Sequence, residues 1–356
     1  MACLIVGANG QAGSYLSELL LGKGYEVIGV VRRASTNNTE RLSNVLKNKN
    51  FKLIEGDITD PSNVSSWFLD YKIDECYNMA AQSHVATSFS QPLLTWRVNA
   101  EGVVNILESI VKHSKDTKFI TCSTSEMFGK NYDTQEVHKS GGIQELKYQD
   151  ENTPFAPQSP YAISKIAAHQ MVGLYRQSYG IHANCVIMFN YESPRRGEQF
   201  VTRKITKWIG EYLKYDYDLG LSDRCVEHPD FCRNDFPKLR LGNLESYRDW
   251  GYCPDYMEML HLMLQQERPD DYVIATGETH SIREFLEEAF VYAGLGDWKQ
   301  YVVIDQRFVR PAEVDYLCGR ADKAKKVLGW EPKVSFAQLV HLMVDHDKKE
   351  AAQKTN

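Results

Sequence analysis

The chain has 356 residues and a formal net charge of −6, with 43% hydrophobic and 25% charged residues. That length allows about two domains at roughly 150 residues each, and the hydrophobic fraction is sufficient for a sizeable core. The acidic balance disfavours general binding to nucleic acid or a membrane surface, and no apolar run approaches the roughly 18 residues of a membrane span. We therefore expect a cytoplasmic protein with neither partner, since the short apolar start also lacks a signal peptide's basic leader.

The first elements in the chain are predicted to be a strand, a glycine turn and a helix. Residues 3–6 are apolar, and the turn and helix that follow contain Gly7, Gly10, Gly13, Leu16, Leu19 and Leu20. Glycines at this spacing let the backbone approach a pyrophosphate closely, while the helix N-terminus offers N–H groups to the anion. An ordinary turn is the alternative, but its position between a strand and an amphipathic helix favours a dinucleotide site.

The end of the second predicted strand, at residues 26–31, indicates which dinucleotide binds. A fold that selects NAD normally has an acidic residue there for the ribose 2′-hydroxyl. This chain instead has Arg32 and Arg33, and two guanidinium groups suit a 2′-phosphate. The pattern predicts NADP, with a solvated basic pair as the alternative.

Later strands end in small or polar residues that leave room for a flat cofactor. The strand at 51–55 is followed by Asp57 and Ile58, and the strand at 75–79 by Ala80, Ala81 and Ser83. A central strand at 118–121 leads into Ser123-Thr124-Ser125-Glu126. Its carboxyl end is expected to deliver Thr124 and Glu126 to the crevice where such folds bind ligands.

Strand and helix patterns alternate without internal repeats, which predicts a doubly wound α/β fold with a parallel sheet of the Rossmann type. Two polar excursions, at about 131–151 and 215–238, are expected to be surface loops or lids. The polar segment 348–356 is expected to be frayed. We place the NADP-binding domain at 1–188, with a return at about 245–277. A smaller mixed α/β substrate domain is expected at 189–244 and 278–356.

The eight cysteines include no Cys-x-x-Cys pair, and several lie in apolar strand-like runs, so reduced thiols are expected. Cys225, His228 and Cys232, with Cys253 further on, offer soft metal ligands at short separations. Structural zinc sites usually pair their ligands more tightly, so we predict no metal site.

Tyr161 and Lys165 are four residues apart and therefore lie on one face of a helix, which Ser159 and Pro160 are suited to begin. A nearby ammonium group, aided by an oxidised nicotinamide, lowers the pKa of a phenol, so that Tyr161 can act as a base. Such a pair also arises by chance on amphipathic helices. The preceding cofactor pattern and the Ser-Thr strand end favour the catalytic interpretation.

Further segments match a known family: Ala81-Gln82-Ser83-His84-Val85, Ser123-Thr124-Ser125-Glu126, Ser159-Pro160-Tyr161, Glu192-Ser193-Pro194-Arg195-Arg196-Gly197, Phe200-Val201-Thr202-Arg203-Lys204, Gly242-Asn243-Leu244, Arg248-Asp249-Trp250-Gly251 and Arg310-Pro311-Ala312-Glu313-Val314-Asp315. On these segments the chain resembles the extended short-chain dehydrogenases/reductases, and among them the GDP-mannose 4,6-dehydratase family, over nearly its whole length. The block at 192–197 is the most diagnostic.

The resemblance implies a lyase that converts GDP-D-mannose to GDP-4-keto-6-deoxy-D-mannose, a step that leads towards GDP-fucose. Tyr161 is the base at the 4-hydroxyl, Lys165 anchors the nicotinamide ribose, Thr124 binds the 4-oxygen and Glu126 removes the carbon-5 proton. The implied cofactor residues are Gly7, Gly10, Gln11, Gly13, Arg32, Asp57, Ile58, Ala80, Ala81, Ser83, Trp96, Lys165, Tyr191 and Arg196. The implied substrate residues are Ser83, Ser125, Asn190, Lys204, Arg248, Arg310 and Glu313.

The resemblance is incomplete at several positions. Tyr191 stands where the family commonly has His, and Trp96 replaces another aromatic residue. Arg310 and Glu313 are also compatible with an ordinary surface ion pair. In this family the loop after Arg33 reaches a neighbouring subunit's cofactor, which implies a homodimer or homotetramer.

Two other functions stay open at this stage. One is a GDP-4-keto-6-deoxymannose reductase, or a bifunctional enzyme, on the same scaffold. The other is a non-catalytic NADP sensor, against which the presence of Thr124, Glu126, Tyr161 and Lys165 together argues.

Overall fold

Strands and helices alternate along the chain in a computed structural model, which describes residues 1–36, 38–139, 142–219, 236–308 and 312–354. The strands are β1 (Ala2–Val6), β2 (Glu26–Val31), β3 (Phe51–Glu55), β4 (Glu75–Asn78), β5 (Lys118–Thr124), β6 (Asp133–Lys139), β7 (Gly142–Tyr148), β8 (Ala183–Met188), β9 (Asn190–Glu192), β10 (Leu239–Leu241), β11 (Tyr247–Arg248), β12 (Trp250–Tyr252), β13 (Tyr272–Ile274), β14 (His280–Ser281) and β15 (Val302–Ile304). The helices are α1 (Gln11–Gly22), α2 (Pro61–Asp70), α3 (Val85–Ser90), α4 (Pro92–Trp96), α5 (Gly102–His113), α6 (Pro160–Tyr179), α7 (Val201–Leu219), α8 (Cys253–Leu264), α9 (Ile282–Tyr292), α10 (Asp322–Leu328) and α11 (Phe336–Gln353).

The main sheet has seven parallel strands in the order β13-β8-β5-β4-β1-β2-β3. The strand order reverses between β1 and β4, and ligands bind such sheets at the carboxyl edge of this reversal. The predicted doubly wound α/β fold is confirmed, and the strands predicted at 26–31 and 51–55 have these same bounds.

Helices cover both faces of the sheet and bury its apolar side chains. On one face α1 and α8 pack on the strands through Leu16, Leu20, Met257 and Met263. On the other face α2, α5 and α6 form a second core that includes the fully buried Ile106. Every helix in the described ranges is too short or too polar to cross a membrane.

A separate core lies beside the carboxyl edge of the sheet. Here α7, α9 and α11 enclose Ile209, Phe285 and Met343, together with the short parallel pair β10–β15. Two other short pairs, β9–β12 and β11–β14, join this part to the main sheet. Substrate-side residues thereby reach the ends of the cofactor-side strands.

Two expectations about polar segments differ from the structure. Residues 131–151 contain the antiparallel strands β6 and β7 in place of the expected loop, because a full ladder from Asp133–Tyr148 to Lys139–Gly142 satisfies their backbone groups. The tail is helical to Gln353, since Arg203 binds Asp347 and Glu350 on α11. The second excursion begins inside α7, and residues 220–235 lie outside the described residues.

Candidate active site

A cavity of about 890 Å³ opens at the carboxyl ends of the central strands. Its wall includes most of the residues that the sequence singles out: Gly10, Gln11, Gly13, Ala81, Ser83, Thr124, Ser125, Glu126, Tyr161, Lys165, Asn190, Tyr191, Arg196, Lys204, Arg248 and Glu313. These residues come from both parts of the chain, so the structure brings the predicted cofactor and substrate residues together around one space.

Close backbone packing explains the glycines of the first turn. A Cβ atom on Gly13 would lie 2.3 Å from the carbonyl oxygen of Gly7, and one on Gly7, whose φ is +83°, would lie 2.9 Å from the backbone nitrogen of Ala80. Side chains at these positions would push α1 off β1 and close the crevice. The turn therefore fits a dinucleotide pyrophosphate at the start of α1.

Gln11 fastens this turn to the chain beyond the sheet. Its side-chain amide donates to the carbonyl of Tyr191 at 3.2 Å and accepts from the Ser193 hydroxyl at 2.6 Å. Arg195 adds contacts to Ser14 and Glu18 on α1. The glycine turn and the segment 191–195 are thus held together across the mouth of the cofactor crevice.

Thr124 ends β5, and Ser125 and Glu126 form the short helical turn that follows. The Thr124 hydroxyl accepts a hydrogen bond from the Glu126 backbone N–H at 3.3 Å. This turn directs a hydroxyl, a second hydroxyl and a carboxylate towards one cavity, as the strand-end argument predicts.

Tyr161 and Lys165 lie on the first turns of α6, and Ser159 caps this helix by accepting from the Ala162 N–H at 3.1 Å. Lys165 is buried, and its Nζ donates to the Cys122 carbonyl on β5 at 2.7 Å. That nitrogen is 6.0 Å from the centre of the Tyr161 ring. The predicted pair and its helix start are therefore present as expected.

Burial is the largest influence on the pKa values of this pair. Burial raises the pKa of Tyr161, although a hydrogen bond with Thr124 and the charge of Arg196 act to lower the pKa. Burial also lowers the pKa of Lys165. Desolvation therefore favours the neutral forms of both side chains.

A second group of charges surrounds the substrate end of the cavity. Arg248 is buried and pairs with Glu313, with 3.3 Å between Nη2 and Oε1. The Nζ of Lys204 lies 3.7 Å from the centre of the Phe308 ring, and partial burial lowers the pKa of Lys204. Two cations beside one carboxylate can bind a diphosphate and hydrogen-bond a ribose.

Other predicted residues lie outside the described cavity wall: Gly7, Arg32, Asp57, Ile58, Ala80 and Trp96. Arg32 is exposed, and its carbonyl accepts from Asn38, whose own carbonyl accepts from Asn9 in the glycine turn. Arg310 lies outside the described residues, as do Cys225, His228 and Cys232. Cys253 is fully buried in α8.

The wall also contains residues that received no role from the sequence, among them Arg41, His84 and Glu192. The Nε of Arg41 donates to the carbonyl of Arg195 at 2.9 Å, so the loop after β2 contacts its own chain here. His84 and Glu192 belong to segments that match the family, and this match was the only sequence feature that could have indicated a role for them. Their burial and orientation depend on contacts distant in sequence.

The parallel sheet, the glycine turn, the Ser-Thr strand end and the Tyr161–Lys165 pair together define an extended short-chain dehydrogenase/reductase. The family model described as GDP-mannose 4,6 dehydratase matches residues 4–221 and 230–343. The chain belongs to the GDP-mannose 4,6-dehydratase family.

Comparison with individual proteins supports this assignment. The chain is 48% identical to GDP-mannose 4,6 dehydratase 2 of Arabidopsis thaliana, over 97% of this chain and 86% of that protein. It is 40% identical to the Homo sapiens GDP-mannose 4,6 dehydratase, over 97% and 90% of the two chains. The solved structure of Thermus thermophilus UDP-glucose 4-epimerase in complex with NAD is similar in fold, with a TM-score of 0.77, 26% identity and coverage of 98% and 99%.

Proposed function

We propose that this chain converts GDP-D-mannose to GDP-4-keto-6-deoxy-D-mannose and that Thr124, Glu126, Tyr161 and Lys165 carry the reaction. Membership of the family supports the overall activity. The observation that carries the residue assignment is the meeting of all four side chains in the wall of one cavity.

The cofactor is proposed to be NADP. Gly7, Gly10 and Gly13 leave the close approach that a pyrophosphate needs, and Arg32 and Arg33 at the end of β2 suit a 2′-phosphate. The Thermus thermophilus epimerase, whose structure contains NAD, supports a nicotinamide cofactor in this fold. A nicotinamide cofactor held there would supply hydride transfer between carbon 4 and carbon 6 of the sugar.

The residues of the chain supply the proton transfers. Tyr161 takes the proton of the 4-hydroxyl, and Thr124 holds the 4-oxygen by a hydrogen bond. Once carbon 4 is a ketone, the carbon-5 proton is acidic, and Glu126 removes it. The 6-hydroxyl leaves as water when Glu126 returns a proton to it, with Ser125 positioned to bind the leaving oxygen.

Tyr161 needs help to lose its proton, because burial raises its pKa. Before the substrate binds, the Thr124 hydroxyl stabilises the tyrosinate by donating a hydrogen bond, and the positive charge of Arg196 acts in the same direction. Lys165 shares a helix face with Tyr161, and its Nζ donates a hydrogen bond to the carbonyl of Cys122 on β5. We place it there to bind the nicotinamide ribose.

The substrate diphosphate is proposed to meet Lys204 and Arg248, with Arg310 as a third cation and Glu313 on the ribose. Asn190, Ser83 and Ser125 would contact the sugar.

This arrangement supports the proposed division into a cofactor domain at 1–188 and 245–277 and a substrate domain at 189–244 and 278–356. Its support is that β13 completes the main sheet while α7, α9 and α11 have their own core.

We also propose a cytoplasmic homodimer or homotetramer. The described cysteines, Cys3, Cys76, Cys122, Cys185, Cys253 and Cys318, are unpaired, which suits a reducing compartment. The loop at 34–41 adjoins the cofactor crevice through Arg41, where a neighbouring subunit would be reached.

The test is incubation of the purified protein with GDP-mannose, with UDP-glucose and dTDP-glucose as controls. The expected product is about 18 mass units lighter than GDP-mannose, because one water molecule is lost. NADPH is not consumed overall. Net consumption of NADPH would identify a reductase or bifunctional enzyme. Absence of any product would contradict the proposal.

A further inference from the structure

Glu192, the last residue of β9, is a buried carboxylate in the cavity wall, with 1% of its surface exposed. Two groups compensate its charge. The Thr202 hydroxyl donates to Oε2 at 2.5 Å, and the Nε of Arg196 lies 3.2 Å from the same oxygen. The contact with Arg196 is an ion pair without hydrogen-bond geometry. A carboxylate this deeply buried is costly unless such partners are kept in place.

Arg196 is held from a second direction by aromatic rings. Its guanidinium carbon lies 3.6 Å from the centre of the Phe200 ring and 5.7 Å from that of Tyr191. Within the described residues, neither Nη1 nor Nη2 of Arg196 donates a hydrogen bond to the protein. Its Nε and its flat face are therefore engaged, while its two terminal nitrogens are left for a ligand.

The charge of Arg196 also reaches the catalytic base. Arg196 and Tyr161 line the same cavity, where burial and the charge of Glu126 raise the pKa of Tyr161, and the charge of Arg196 acts against them to lower this pKa. The distance at which this charge is held therefore affects how readily the phenol ionises. A buried carboxylate beside the guanidinium fixes that distance.

We propose that Glu192 is a positioning residue that, with Thr202, holds the guanidinium group of Arg196 against Phe200, where it meets the phosphates of the bound dinucleotide and faces Tyr161. This inference rests on the proposed function, because it takes the anion to be the NADP bound in the same cavity. It gives Glu192 a role through Arg196 and no direct contact with the reacting atoms.

The first test is Glu192→Gln, which keeps the shape and removes the charge. Glu75→Gln is the matched control, because Glu75 is also fully buried and accepts hydrogen bonds from Tyr77 and Gln265. It differs in position, since it begins β4 at the amino ends of the strands, away from the cavity. The dissociation constant of NADPH, followed by its fluorescence, is expected to rise about tenfold for Glu192→Gln and to stay unchanged for Glu75→Gln. An unchanged affinity in Glu192→Gln overturns the proposal.

The pH profile of kcat/KM separates positioning from two other roles. If Glu192 positions Arg196, its loss lets the guanidinium move away, and the acidic limb of the profile shifts to higher pH. If Glu192 only screens the charge of Arg196, its loss shifts that limb to lower pH. If it serves only the fold, the limb does not move. Either of these last two results overturns the proposal.

Thr202 provides a second pair of variants should Glu192→Gln fail to fold. Thr202→Val removes the hydroxyl that holds the carboxylate and is expected to weaken NADPH binding, whereas Thr202→Ser retains it and binds as the unchanged protein does. Equal affinities in the two variants contradict the proposal. Turnover of GDP-mannose by the unchanged protein is measured separately, so a failure of the proposed function is distinguished from a failure of this inference.

Discussion

At the residue scale, Glu126 is the group to which we assign the elimination step, which separates the proposed reaction from simple oxidation and reduction. It lies beside Thr124 on the turn after β5 and lines the cavity with Tyr161. A carbon-5 proton must be removed before water can leave, and only a base within reach of that carbon can do so. Its neighbours Thr124 and Ser125 offer hydroxyl groups, which do not supply such a base.

We therefore predict that Glu126→Gln lowers the rate of dehydration by about 10²- to 10⁴-fold, because a positioned acid–base group contributes that much. Formation of the 4-keto-6-deoxy product is measured by mass. Binding of GDP-mannose and NADPH, measured by calorimetry, is expected to stay unchanged. Full product formation by this variant would refute the role of Glu126.

Thr124 supplies a second prediction at this scale. A hydrogen bond from its hydroxyl lowers the pKa of Tyr161 against the effect of burial. Thr124→Val removes this bond, so the tyrosinate forms less readily and the acidic limb of kcat/KM is expected to move to higher pH. Thr124→Ser keeps a hydroxyl and should leave the limb in place. The same shift in both variants would show that the hydroxyl is not responsible.

The individual site residues were predictable to different degrees. Thr124, Glu126, Tyr161 and Lys165 follow from local rules, since the ends of parallel strands meet and residues four apart share a helix face. Arg41 depends on a contact with Arg195, which lies far away in the sequence, whereas Glu192 has its polar partners Arg196 and Thr202 nearby in the sequence. The raised pKa of Tyr161 was not predictable, because burial by side chains from several elements decides it.

At the element scale, Asp249 joins separate pieces of backbone behind the substrate site. It is fully buried and accepts hydrogen bonds from the N–H and hydroxyl of Thr276 and from the N–H groups of Gly277 and Gly319. One carboxylate thereby connects the segment between β11 and β12 to the end of β13 and to the chain before α10.

Asp249→Asn is predicted to lower the free energy of unfolding by about 2 to 4 kcal/mol, because an amide NH₂ would face backbone donors and leave at least one unsatisfied. Thermal or urea unfolding measures this change. The exposed Asp322→Asn serves as the control and should lie within about 0.5 kcal/mol of the unchanged protein. Equal stabilities of the two variants would contradict the role given to Asp249.

Elements were predicted best where burial is continuous. The run 26–31 is buried at every residue after Glu26, as a central parallel strand is, and its bounds were recovered. The bounds of 51–55 were recovered as well, although this strand ends the sheet and is buried only at Phe51. Strands β6 and β7 are polar along their length, so their pairing left no apolar alternation to read. The last turns of α11 depend on Arg203, more than a hundred residues away.

At the scale of the whole molecule, the proposed selectivity for NADP rests on the two arginines at the end of β2. Arg32→Ala combined with Arg33→Ala is predicted to raise the dissociation constant of NADPH about tenfold or more, since charge-assisted bonds to the 2′-phosphate are lost. Binding of NADH should change little. The exposed Arg268 lies just after α8, so Arg268→Ala serves as a control for the loss of a surface guanidinium group. An equal loss of affinity for both dinucleotides would contradict the assignment to the 2′-phosphate.

The two cores meet around one cavity, which in the proposed reaction would allow oxidation, elimination and reduction without release of the sugar. The proposed cofactor and substrate residues line this cavity, and Gln11 and Arg195 bind the glycine turn to the segment 191–195. The proposal therefore requires that the hydrogen removed from carbon 4 is returned to carbon 6 of the same molecule.

The measurement that tests this most directly follows deuterium from carbon 4 of GDP-mannose. Two substrates are mixed and converted together: one carries deuterium at carbon 4, and the other carries carbon-13 in the ring and no deuterium. The products are analysed by mass. We predict that deuterium appears in the 6-methyl group of molecules without carbon-13. Deuterium in solvent, on released coenzyme, or in the carbon-13 product would contradict the account.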